Sequence, residues 1–173
     1  MNTRNLVIIS LLVGIGAVLH AVIPPILFGM KPDMLLAMMF LGILLFPKPK
    51  YVLAIALLTG IVSALTTGAP GGQIANIIDK PITAFIFLGL FLLMDKQIPR
   101  PISAPILTAV GTIVSGSVFL LVALFILGLM EGGFIALLLT IVLPAAVMNT
   151  VSMVIIYPIV QGILKRSEPI TLT

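Results

Sequence analysis

Six apolar runs, each closed by a cluster of Pro, Gly or charged residues, leave this chain few ways to fold. They extend from Leu6 to Ile23, Met34 to Phe46, Tyr51 to about Thr66, about Ile74 to Met94, Ser103 to Met130 and Phe134 to Leu164. Several approach the ~20 residues that carry a helix across a bilayer. With 61% hydrophobic and 8% charged residues and a mean hydropathy of +1.35, the chain has too little polar surface to coat a soluble globule. The expected fold is all-α: an integral membrane bundle of six transmembrane helices, forming a single domain over residues 1–173. The second run is short for a full span. The first follows a head containing Arg4 and lacks a convincing signal-peptide cleavage site, so it reads as a helix. No internal repeat of the kind found in many secondary carriers is visible.

Charge orients the threading. With both termini cytoplasmic, Arg4, Lys48, Lys50, Lys96, Arg100, Lys165 and Arg166 all fall inside, and only Lys31 and Lys80 of the nine Lys and Arg fall outside. The positive-inside rule selects this arrangement over its reverse. The basic residues lie beside the apolar runs and form no polar face, so the net charge of +4 reads as topogenic and not as a nucleic-acid surface.

The charges left outside are Lys31, Asp33, Asp79, Lys80 and Glu131, and four of them form two mixed pairs, Lys31-Pro32-Asp33 and Asp79-Lys80. If the fourth helix begins near Ile74, Asp79 and Lys80 lie one to two turns below the surface, with Asn76 and Thr83 at helical spacing. An intramembrane charge faces the bundle or a water-filled cavity, so this stripe reads as a polar site. The plainer alternative makes Pro81 the first helical residue and the pair a solvated cap. The loop from Pro24 to Asp33 carries Ile26, Leu27, Phe28 and Met30, which need apolar cover; it reads as a lid or as an anchor lying on the headgroups. Glu131 reads as a solvated turn residue. His20 is either a helix-to-helix hydrogen-bonding group or a ligand contact, and Asn149, five residues after Pro144, is either helix glue or a cavity group. Thr108, Thr112, Ser115 and Ser117, with Gly111 and Gly116, read as a close-packing surface on the fifth helix.

No catalytic set emerges. The chain has one His and no Cys, no His or carboxylate spacing suited to a metal, and no Gly-rich phosphate loop ending in Lys-Ser or Lys-Thr. It therefore reads as a non-enzyme without metal or cofactor, and any driving energy must come from a gradient or a partner.

Ala17-Val18-Leu19-His20-Ala21 places two alanines one turn apart, which permits close approach of another helix. With the six helices, inside termini, small size and apolar first exterior loop, this resembles the substrate-binding S component of energy-coupling factor (ECF) transporters. Two segments, Gly29-Met30-Lys31-Pro32-Asp33-Met34 and Gly71-Gly72-Gln73-Ile74-Ala75-Asn76-Ile77-Ile78-Asp79-Lys80-Pro81, are similar to the bacterial tryptophan transport protein family. The resemblance implies capture of tryptophan outside the cell membrane, docking through Ala17 and Ala21 on a transmembrane coupling subunit, and energy from a pair of ATPase subunits. A zwitterionic amino acid needs a cation and an anion close together, which Lys31, Asp33, Asp79 and Lys80 offer. Asn76 shares the fourth-helix stripe, Phe28, Phe85 and Met30 are candidates for an indole wall, and Gln73 or Asn149 for an acceptor of the indole N–H. The competing reading is a free-standing, gradient-driven carrier for a small amino acid or vitamin.

Overall fold

Helix breakers and caps set the element boundaries. The computed structural model describes residues 2–26 and 31–166, and every regular element among them is helical. Helix α1 spans Thr3–Val22, α2 Met34–Leu45, α3 Pro49–Thr66 and α4 Gly72–Met94. Helix α5 runs over Arg100–Leu121 and continues through a π-helical turn, Val122–Ile126. Helix α6 begins at Phe134–Leu137, widens into a π-helical turn at Leu138–Val142 and continues over Leu143–Arg166. Asn2 caps α1 through the Arg4 N–H, and Asp33 caps α2 through the Leu36 N–H at 3.0 Å. Gly71, in the left-handed region at φ 71°, turns the chain into α4.

Two expectations are corrected by this geometry. Pro81 lies inside α4 and does not begin it, so Asp79 and Lys80 are intrahelical and cannot form a solvated cap. The fifth helix ends at Ile126, short of Met130, because the chain turns at Gly128 with φ 62°. The π turn in α6 has a physical cause. Pro144 has no N–H to give the carbonyl of Thr140, and the Leu143 N–H reaches five residues back to Leu138.

Five helices, α1 and α3 to α6, are long and apolar enough to cross a membrane. Helix α2 has 12 residues, about 18 Å, against the ~30 Å of a hydrocarbon core. Every residue from Met34 to Leu44 is buried, as suits a helix that is apolar all round. It packs against each of the other five. Gly16 permits this, since a Cβ there would stand 3.1 Å from both the Met34 carbonyl oxygen and Met38 Cβ. Gly16 lies six residues before the end of α1, so α2 starts about 9 Å below that end. The segment before α2 thus carries Asp33 into the bundle, where irregular backbone is tolerated if protein surrounds it.

One end of the bundle collects the start of α1, where the Asn2 N–H donates to Tyr51 Oη, with the α2–α3 and α4–α5 turns and the end of α6. Phe40 stacks on Phe87 at 4.2 Å within its apolar core, which also holds Phe91, Leu107 and Met153. The other end carries the α3–α4 and α5–α6 turns, which meet where Gly71 abuts Leu127 and Leu129. A cavity opens between the helices at that end.

Candidate functional site

Helix α4 positions the central charges. Lys80 lies eight residues beyond Gly72, about 12 Å along the axis, and is 3% exposed. An ammonium at such a depth requires partners. Its Nζ donates to Asp79 Oδ2 at 2.7 Å and to Ser115 Oγ at 3.2 Å. Asp79, fully buried, is held in turn by Thr83 Oγ1 at 2.6 Å on Oδ1 and by Ser115 Oγ at 2.7 Å on Oδ2. The carboxylate that balances Lys80 is therefore itself fixed from two helices. Gly60 lets α3 close against this stretch: a Cβ there would sit 3.5 Å from Lys80 Cβ and 3.7 Å from Ile77 Cα.

A second carboxylate faces the same ammonium. Asp33 Oδ2 stands 3.9 Å from Lys80 Nζ, and its Oδ1 lies 3.7 Å from His20 Nδ1. The Asp33 backbone N–H donates to Asn149 Oδ1 at 2.8 Å, and Asn149 Nδ2 donates to Thr112 Oγ1 at 3.2 Å. Asn149 is fully buried near the middle of α6, so one amide ties α2, α5 and α6 together.

These groups form the floor of a cavity of about 320 Å³, within the ~300–1,000 Å³ of small-ligand sites. Its floor is Asp33, Lys80, Thr112, Ser115 and Asn149. One turn nearer the open end, the walls become mostly apolar, with Phe119, Leu120, Met130, Ile141, Val142 and Ala145. Asn76, Ser63, Thr66 and Thr67 complete the side formed by α3 and α4. In shape and chemistry, the cavity matches a small molecule with a charged, two-signed head and an apolar body.

The structure brings together Asp33, Asn76, Lys80 and Asn149 among the residues expected from sequence. Asp79 sits behind Lys80 and does not line the cavity. The expected Lys31–Asp33 pairing is replaced: Lys31 Nζ donates to the His20 carbonyl at 2.5 Å, and the ammonium close to Asp33 is that of Lys80. Pro32 separates Lys31 and Asp33, and the cap that Asp33 places on α2 turns it inward. Gln73 is exposed in the first turn of α4 and does not line the cavity. Phe85 is 42% exposed on the outer surface, because five residues along a helix turn it ~140° away from Lys80. Phe28 and Met30 lie outside the described residues. Ala17 is half-buried and Ala21 exposed. Ser115 and Thr112, read from sequence as packing groups, belong to the floor; their spacing of three, with Thr108 one turn behind, was the available signal. Ser63 and Phe119 gave none, since a lone Ser or Phe in an apolar helix does not reveal which way it faces. Among the described residues, no three His, Cys, Asp or Glu converge as a metal site would require.

Comparison with known proteins matches this chain to one family. Residues 2–165 fit the model of the tryptophan transporter TrpP family. A probable tryptophan transport protein of Bacillus subtilis (strain 168) is 61% identical over 168 residues, covering 97% of this chain and 96% of the relative. Proteins of the same description from Clostridium acetobutylicum and Clostridium perfringens are 46% and 37% identical, over 93% and 96% of this chain and 94% and 96% of their own lengths. No solved structure matches. The chain belongs to the tryptophan transporter TrpP family.

Proposed function

We propose that this protein captures tryptophan in the cavity from the extracellular side of the cell membrane and delivers it with an ATP-driven ECF module. The observation that carries the reading is the opposed pair at the floor, Asp33 Oδ2 and Lys80 Nζ, 3.9 Å apart on different helices. Asp33 receives the substrate ammonium, while Lys80 and the Asn149 amide take its carboxylate. Asp79 keeps the buried ammonium balanced when Asp33 turns to the ligand. Charge-assisted hydrogen bonds of this kind contribute ~1.5 to 3 kcal/mol each. The indole occupies the apolar upper walls beside Phe119 and Met130.

In this reading the chain spans the bilayer with both termini cytoplasmic, the basic residues near the termini and the α2–α3 and α4–α5 turns lying inside. Helix α2 counts as the sixth, shortened span, reached through the inward segment that delivers Asp33. Cysteines introduced beside Lys48 and Arg100 should resist an impermeant thiol reagent in intact cells, and those beside Gly71 and Gly132 should label. Labelling of both sets would reject this topology. Docking on the transmembrane coupling subunit uses the face of α1 around Ala17 and Ala21, a helix that packs mainly on α2 and α3. With no nucleotide-binding loop in the sequence, the ATPase pair supplies the energy.

The test is titration of the purified protein with a panel of amino acids and vitamins, followed by uptake into vesicles. Tryptophan should bind tightly to the isolated protein, and accumulation should require the coupling module and ATP. Tight binding of another compound with none for tryptophan would reject the substrate. Gradient-driven accumulation by the protein alone would reject the subunit role and favour a free-standing carrier.

A further inference from the structure

Helical Ser and Thr hydroxyls in this bundle generally bond back to their own helix, as Thr108 does to Ala104, Ser117 to Ile113 and Thr150 to Ala146. Two on α3 do not. Thr59 Oγ1 and Ser63 Oγ are buried and have no hydrogen-bond partner. A buried hydroxyl without a partner is costly, and native structures keep few of them. Thr59 does not line the cavity, but Ser63, only 7% exposed, does.

The register of α3 against α4 sets its height. Gly60 abuts Asn76, Ile77 and Lys80, and Ser63 lies three residues, about 4.5 Å, further toward the open end. Ser63 therefore stands about one helical turn above the charged floor, level with the mostly apolar walls. Asn76, its neighbour at that height, has its amide nitrogen engaged by the Gly72 carbonyl at 2.8 Å. A side chain rising from a head fixed between Asp33 and Lys80 meets Ser63 Oγ as an oxygen still lacking a hydrogen bond.

We propose that Ser63 is the specificity-determining acceptor for the indole N–H of the bound amino acid. This rests on the tryptophan reading above and deepens it. It explains how a largely apolar wall separates indole from a ring of similar size without a donor. A site built around a hydrogen bond rejects an analogue lacking it because its own polar group is then left unpaired.

The test compares L-tryptophan with its benzothienyl analogue, in which sulfur replaces the ring N–H, by calorimetric titration of the purified protein. Wild-type protein should prefer tryptophan by about tenfold or more. Ser63→Ala should lower tryptophan affinity by about tenfold, leave the analogue within about twofold, and so collapse the preference. Ser63→Thr, which keeps a hydroxyl, should restore it. If Ser63→Ala weakens both compounds equally, or neither, the assignment of Ser63 is overturned while the cavity reading stands. Wild-type protein that binds neither compound would overturn the cavity reading and this inference with it.

Discussion

The two ends of the bundle are built from the same helices and solve opposite problems. At the end holding the start of α1 and the end of α6, α2 is enclosed on every side, and Phe40, Phe87 and Phe91 fill the space between helices. At the other, α3 to α6 surround a cavity floored by Asp33, Lys80, Ser115 and Asn149. Backbone irregularity follows the same division. Among the described residues, both π-helical turns and all the positive-φ glycines, Gly71, Gly128 and Gly132, lie toward the cavity end. Lipid gives helices no hydrophobic reason to associate, so the packed end supplies van der Waals cohesion. That leaves the cavity end free to hold polar groups such as Lys80, Ser115 and Asn149.

The largest effect is expected where removing one buried charge leaves its partner uncompensated. Lys80→Met leaves Asp79 buried without its ammonium and should cost ~3 to 5 kcal/mol of stability as well as binding. The double variant Asp79→Leu/Lys80→Met removes both charges and should recover most of that stability, because an apolar pair of similar volume replaces an ion pair at little cost. It should still fail to bind tryptophan. A stable double variant that binds normally would show the pair to be structural alone, with thermal unfolding and titration run on the same samples.

A smaller contrast compares two aromatic residues. Phe40→Ala opens a void in the packed end and should cost ~3 kcal/mol of stability, at the low end of the range for soluble cores, with substrate affinity nearly unchanged in folded protein. Phe119→Ala, at the cavity wall, should reverse the pattern. Stability should fall by less than half as much, and tryptophan affinity by roughly tenfold, about 1.4 kcal/mol. Equal effects of the two on both readouts would erase the division between the ends.

How much of this was legible beforehand follows from the same division. Apolar runs and their breakers gave the helices to within a few residues, because lipid demands long uninterrupted runs and the loops concentrate Pro, Gly and charge. Asp33, Lys80 and Asn149 stood out because polar side chains within apolar surroundings are costly and need a reason. Asp79, the partner of Lys80, was legible as its chain neighbour, but the partners of Asp33 and Asn149 were not. Sequence neighbours suggested Lys31 with Asp33, yet Asp33 meets Lys80 across the bundle and Lys31 closes on the end of α1. Which hydroxyls face the cavity, Ser63 and Ser115 above all, depends on how the helices are rotated against one another, and no pattern within one helix encodes that. The apolar wall at Phe119 was hidden for the same reason, and Met130 because it reaches the cavity from the α5–α6 turn.

The central claim is that Asp33 and Lys80 divide a zwitterion between them, and one titration series tests it. L-Tryptophan, tryptamine and indole-3-propionate are titrated into wild-type protein and Asp33→Asn. In wild type, tryptamine, which lacks the carboxylate, and indole-3-propionate, which lacks the ammonium, should each bind at least about tenfold more weakly than tryptophan. Asp33→Asn should weaken tryptophan and tryptamine by about tenfold or more and leave indole-3-propionate unchanged or improved. Equal losses for all three ligands, or none, would contradict the account.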